Sequence, residues 1–226
     1  MSEFIVHEVK PTSIIVLLTS CQGKWPDTGW GAELKRSYPA AYDQYKVICG
    51  RHVDQNGLPT DYVLGTCHII PPLPADYLDR PVPPVYIACV FCSFGDGHRN
   101  LFNTAKPGRS PKAVIRAQTD NAFCHLKQLV TEMGRSRAQE ASRLAGAEMV
   151  DGRLQRLDWT EAGRNMEMCV HDQNGKDFQM EWEEIQPIIQ TYFHDWEGRL
   201  RVFTVRSEHR SGHRGGHSSG NRSGRH

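Results

Sequence analysis

Seven residues, Ser13 to Thr19 (SIIVLLT), contain no charge, no glycine and no proline. A short β-branched run that is apolar on both alternations suits a strand covered on both faces, because successive side chains leave opposite sides of a sheet. Such a strand requires helices above and below it. Directly behind it, TSCQGKWPDTGWGAELKRSYP places Gly23, Gly29, Gly31, Trp25, Trp30 and a Pro-Asp turn signal ahead of helix-forming residues. The chain therefore leaves a buried strand through a Gly-rich junction and enters a helix. Junctions of that kind commonly cradle phosphates on the open N–H groups of the helix N-terminus.

The alternation continues along the chain. AELKRSYPAAYDQYKVICGRHV repeats apolar residues at helical spacing through Leu34, Tyr38, Ala41, Tyr45 and Ile48, with Pro39 suited to the first turn of a second helical piece. YVLGTCHII and VYIACVFCSF predict two neighbouring strands, separated by PPLPADYLDRPVPP, whose prolines oppose regular structure and predict a stiff surface loop. From Ala113 onward, Val114, Ala117, Ala122, Leu126, Leu129 and Met133 fall on one helical face. A polar stretch near 134–164 reads as an insertion, partly helical. NMEMCV then predicts a strand, EWEEIQPIIQTYFHDW an amphipathic helix apart from Pro187, and LRVFTV a last strand. Strands alternating with helices predict an α/β layer sandwich whose ligand sites gather beyond strand ends.

With 226 residues and 38% hydrophobic content, the chain can build one sizeable core, taken as residues 1–205. Residues 206–226 carry five Arg against one Glu among Gly, Ser and His, so the rest of the chain is mildly acidic, and this low-complexity tail is expected to be disordered. The seven cysteines are an odd set lying mostly in apolar runs, the usage of reduced, buried thiols in a cytoplasmic or nuclear protein. Glu3, His7, Glu8 and Lys10 interrupt any signal-peptide pattern, and no apolar run approaches the roughly 20 residues of a membrane helix. No membrane partner is expected.

Taken in order, TSCQGKWPDTGWGAELKRSYPAAYDQYKVIC, LGTCHIIP, YIACVFCSFGDG and NGKDFQMEW resemble the motifs of the macro-domain family, and of its fungal ADP-ribose 1''-phosphate phosphatases in particular. The correspondence runs from about Ser13 to Val205. It implies a three-layer α/β/α fold with a central mostly parallel or mixed sheet. Ser20 and Cys21 match an SCN-like segment, with Gln22 in place of its Asn; Gly29 and Gly31 fall in the first Gly-rich loop. Asn174, Phe178 and Trp182 match a second loop of the form NSGIFGVPW. Two departures stand out: VHEVKPTS lacks the family's acidic or amide turn, and Lys176, Asp177, Gln179 and Glu181 replace small or apolar residues. An Asp beside a bound diphosphate repels it.

The resemblance implies ADP-ribose or ADP-ribose 1''-phosphate as ligand, and neither a cofactor nor a metal. The binding set it points to is Ser20, Cys21, Gln22, Gly29, Trp30, Gly31, Ala32, Asn174, Gly175 and Phe178, with backbone amides from Gly29 to Ala32 on the diphosphate. Trp25 or Trp30 is available to stack on a ribose or base. The alternative is that both glycines serve a tight turn and both tryptophans pack in the core. For chemistry, Asp96 and His98 at a strand end and His171 near the second loop are candidates to activate water or move a proton. Against this, Asp96 can bond its own backbone in a turn and His98 can simply be solvated. Cys21 reads as a core thiol, and the Cys89–Cys92 pair as structural, since no second Cys/His pair lies nearby at zinc spacing. The function classes are thus a hydrolase of ADP-ribose derivatives, an inactive ADP-ribose-binding module, and a nucleic-acid-associated protein acting through its basic tail.

Overall fold

All seven residues of β1 (Ile14–Ser20) are buried, as an apolar run covered on both faces requires. The computed structural model describes residues 8–52, 61–96, 108–148, 166–196 and 198–204, with backbone alone for 137–148. After β1 come α1 (Gly29–Ser37), α2 (Pro39–Gly50), β2 (Cys67–Ile70), α3 (Pro74–Tyr77), β3 (Tyr86–Ser93), α4 (Lys112–Glu148) and β4 (Met168–His171). A 3-10 turn (Lys176–Phe178), α5 (Trp182–Phe193) and β5 (Leu200–Phe203) complete the described chain. The tail 206–226, His98 and much of the stretch near 134–164 lie outside the described residues.

The five strands form one mixed sheet in the order β2-β3-β1-β4-β5, parallel except for β2, which runs antiparallel to β3. Alternate residues of β1 divide the core. Ile14, Val16 and Leu18 join Ala88, Val90, Met168 and Val170 beneath α4 and α5, while Ile15 and Leu17 join Ile87, Cys89 and Phe91 beneath α1 and α2. This is the three-layer α/β/α arrangement expected from the sequence.

The predicted stripe Leu34, Tyr38, Ala41, Tyr45 and Ile48 is buried throughout, across a break at Tyr38 (φ −128°, ψ 65°). The residue before a proline avoids the helical region, so Tyr38 ends α1 and Pro39 begins α2. On α4 the buried face differs from the expected one: Ile115, Thr119, Ala122, Phe123, Leu126 and Val130 are inside, and Val114 is exposed. A threonine hides this face from a purely apolar pattern, and its hydroxyl donates to Ile115 O at 2.8 Å. The proline-rich linker is also more ordered than expected. Pro74 opens α3, from which buried Asp76 accepts the Ala40 and Ala41 N–H groups at 2.7 and 3.0 Å, and Arg80 donates to Arg36 O and Ser37 O. A carboxylate thus meets the start of α2 and a guanidinium the end of α1, each complementing the local helix dipole.

Candidate functional site

In an open α/β sheet, ligands settle outside the carboxyl ends of the strands where the strand order switches direction. Here the chain places β3 and β2 on one side of β1, then β4 and β5 on the other, so the switch lies between β1 and β4. A cleft of about 180 Å³ opens there. Leu17 contributes from β1; Pro26, Thr28, Gly29, Trp30 and Gly31 form one wall, and Gln173, Asn174, Lys176 and Asp177 the other.

The first wall is the entry to α1. Thr28 is the N-cap (φ −130°, ψ 163°), yet its hydroxyl makes no capping bond. The bond from Ala32 N–H to Thr28 O is long, at 3.5 Å. The N–H groups preceding it have no acceptor within a helix, which gives this end its affinity for anions. Gly29 adopts φ +60°, a region that costs other residues energy, and a Cβ there would point into open space. Gly31 has a different reason to be glycine, since a Cβ would lie 2.6 Å from Pro26 Cδ.

Trp25 is fully buried, with ring centroids 5.2 Å from Tyr42 and 5.6 Å from Tyr45, which leaves it no face for the ligand stacking considered from the sequence. Trp30 lines the cleft but is 3% exposed, stacked on His171 at 5.2 Å and Phe203 at 6.0 Å.

The second wall is pinned to β1. Beyond Val16, β1 no longer pairs with β4, and the Asn174 side chain takes over: Oδ1 accepts Leu18 N–H at 3.0 Å and Nδ2 donates to Val16 O at 2.9 Å. Asn174 touches the cleft with an amide already committed to the strand. Gly175 O accepts the Phe178 and Met180 N–H groups, at 2.9 and 3.0 Å. Phe178 lies in the core beneath α4 and α5 at 1% exposure, so its expected ligand contact is replaced by an anchoring role.

His171 is wholly buried, and its Nδ1 accepts the Gln173 N–H at 3.0 Å. Burial holds the imidazole pKa down at about 4, with Lys176 acting in the same direction and Asp172 opposing it. The ring is neutral near pH 7 and is not among the residues lining the cleft.

The SCN-like segment sits on the other flank of β1. Ser20 is 1% exposed and its carbonyl accepts the Tyr45 hydroxyl at 2.5 Å; Cys21 N–H reaches Ser93 O and Phe94 O at 3.2 and 3.1 Å. Burial pushes the Cys21 thiol well up, and Cys49 and Asp61 push it further, which makes it a core thiol. Half-buried Gln22 lies against Gly95. Half-buried Asp96 belongs to this second group of strand ends, and its charge reaches Asp177. Of the sequence-derived ligand set, the cleft brings together Gly29, Trp30, Gly31 and Asn174; Ser20, Cys21, Gln22, Ala32, Gly175 and Phe178 are not in its lining. Thr28 and Gln173 were not anticipated. An N-cap residue type directly before Gly29 was the available signal for Thr28.

Asp27 pairs with Lys24 at 2.8 Å and Lys35 at 3.2 Å on the rim of the first loop. Cys89 and Cys92 face opposite sides of the sheet, one in each core layer, and so cannot share a metal. Among the described residues no cluster of His, Cys, Asp or Glu could hold a metal ion.

Neither the comparison with family models nor that with curated proteins yields a match. Among solved structures, Thermosipho africanus DarTG in complex with ADP-ribose superimposes with a TM-score of 0.51 at 8% identity, covering 85% of this chain and 38% of that one. The macrodomain of Mycobacterium tuberculosis DarG gives 0.48 at 12% identity over 84% and 88% of the two chains. The macrodomain of Thermus aquaticus DarG gives 0.46 at 16% identity over 89% and 93%. At such identities the likeness speaks to the fold alone: the chain has a three-layer, macrodomain-like α/β/α fold built on a five-stranded mixed sheet.

Proposed function

We propose that the cleft between β1 and β4 binds ADP-ribose or a close derivative, with the diphosphate against the N-terminus of α1. The observation that carries this reading is that uncapped Thr28 and left-handed Gly29 open the first turn of a helix into a cleft at the switch point of the sheet. The fold likeness to a DarTG structure holding ADP-ribose supports the choice of ligand. At about 180 Å³ the cleft would take the diphosphate, with the remaining parts of the ligand extending along the strand ends. Hydrolysis of a 1''-phosphate or an ADP-ribosyl link would fall to Asp96 or His98, which follow β3 in the chain, because His171 is wholly buried and outside the cleft lining; Asp96 is the candidate tested first. Asp96→Asn would then abolish turnover of ADP-ribose 1''-phosphate while sparing affinity; unchanged turnover would retire Asp96 from catalysis, and no turnover by the wild-type protein would leave a binding module.

Calorimetry with ADP-ribose tests the binding step. Gly29→Asn keeps a residue type that tolerates positive φ and adds a side chain at a lining position where a Cβ meets nothing within 4 Å. It is expected to weaken ADP-ribose at least about tenfold, or about 1.4 kcal/mol, with far-UV circular dichroism unchanged. No heat with the wild-type protein or its Asp177 variants at any pH from 5 to 8, or wild-type affinity in a folded Gly29→Asn variant, would overturn the reading.

A further inference from the structure

Asp177 stands in a place where a carboxylate works against the ligand. It lines the same cleft as Gly29, Trp30 and Gly31, half-buried on the opposing wall. Its backbone has little freedom to swing the side chain away. Asn174 is bonded to β1 on one side, while Phe178 and Met180, each 1% exposed, are locked into the core on the other.

Exposed Lys176 lines the same cleft, while a second carboxylate adds to the negative charge at Asp177. Asp96 approaches from the turn after β3 and is the largest charge acting on Asp177. On its own loop lie Asp172, exposed Lys176 and neutral His171. Lys24 from the first loop and Lys35 from α1 are both engaged by Asp27, and Lys24 also feels the charge of Asp96. A diphosphate entering between the α1 amides and this wall would add its negative charges to those of two carboxylates.

Resting on the ADP-ribose reading of the cleft, we propose that Asp177 couples ligand binding to protonation: the diphosphate enters with uptake of one proton by the Asp177 carboxyl. The proton comes from solvent and no covalent bond is made or broken in the ligand. Protonation removes one repelling charge and converts an acceptor into an O–H donor facing a phosphate oxygen. Burial first, and Asp96 second, already hold this carboxyl above the usual Asp range in the free protein. A bound dianion raises it further, so the complex holds more protons than its separated parts and affinity rises as pH falls through that interval. Asp177 thereby sets the pH dependence of the site.

The experiment is calorimetry of ADP-ribose with the full chain from pH 5 to 8, in pairs of buffers with different ionisation enthalpies. The diphosphate diester does not titrate in this range, so buffer-dependent heat reports protons taken up by the protein. For wild type we expect net uptake and an affinity that strengthens on acidification, by up to about tenfold per pH unit. Asp177→Asn, a near-isosteric change, should bind more tightly than wild type at pH 7.5, with a flatter pH profile and reduced proton uptake. Asp177→Ala should behave likewise and guards against a folding defect peculiar to the amide. Wild-type binding with the same heat in every buffer, or proton uptake that persists unchanged in both variants, would overturn the proposal while leaving the ADP-ribose site standing. If the variants bind and the wild type does so only at low pH, the proposal is supported; absence of binding by all three at every pH would overturn it together with the reading of the cleft.

Discussion

The side-chain amide of Asn174 replaces a strand residue beside Leu18, accepting its N–H at 3.0 Å while donating to Val16 O at 2.9 Å. A parallel strand presents the same pair, an acceptor and a donor spanning one residue of its neighbour. β4 pairs with β1 only as far as Val16, so Asn174 continues the ladder by one side chain and fixes the second wall of the cleft to the sheet.

Asn174→Ala would strand a buried N–H and a buried carbonyl. Each unmade bond costs about 1–3 kcal/mol, so we expect a loss of about 2–6 kcal/mol in urea unfolding. A change below about 0.5 kcal/mol would show that water or a neighbour replaces the amide. Asn174→Asp retains the acceptor for Leu18 but not the donor to Val16, and should lose stability as the carboxylate ionises.

His171 makes stability pH-dependent with a defined sign. Its folded pKa, about 4, lies below the ordinary 6.5, so the unfolded chain binds the proton more readily. Its contribution is complete above pH 6.5 and is lost as pH falls toward 4, by about 3 kcal/mol for a shift of this size. Denaturation midpoints measured across this window should decline with acidification. His171→Gln, which cannot be protonated, should reduce that decline even if it lowers stability at neutral pH.

Gly31→Val and Gly29→Asn should separate packing from access. A Cβ on residue 31 would meet Pro26 Cδ at 2.6 Å, so Gly31→Val is expected to lower stability by about 1–3 kcal/mol through overpacking. A Cβ on residue 29 meets nothing within 4 Å, and Gly29→Asn should lower stability by no more than about 1 kcal/mol. Thermal melts of the two proteins decide this; equal losses would mean that both positions are packed.

Six of the seven cysteines are buried and Cys124 is partly exposed. Under native, reducing-agent-free conditions an aromatic disulfide reagent should therefore modify about one thiol per chain quickly, at Cys124, and the others only on unfolding. Rapid native reaction at Cys21 would contradict the burial that raises its pKa.

Much of the fold was legible because it follows from local periodicity. The unbroken apolar run became β1, the stripe from Leu34 to Ile48 became α1 and α2, and Pro39 marked their boundary. The α4 face was misread where Thr119 interrupts the apolar pattern but satisfies its hydroxyl within the helix. α3 was hidden by prolines, since Pro74 occupies the first helical position, where a missing N–H costs nothing.

The site was legible only in part, for the same reason. Residue types alone located the Gly-rich entry to α1, because a helix N-terminus and a left-handed glycine are properties of a short stretch of chain. Which side chains face the cleft depended on interactions between residues about 80 to 170 positions apart. Asn174 is turned to Val16 and Leu18, Trp30 to His171 and Phe203, and Asp177 toward the charge of Asp96. Strand and helix periods are set by neighbours along the chain, whereas the partners of a buried amide, indole or carboxylate are set by the sheet order that brings distant segments together. Sequence determined that a buried strand leads through glycines into a helix; tertiary structure decided that Asn174 completes a ladder, His171 is a neutral strut, and Asp177 lines the cleft opposite the start of α1.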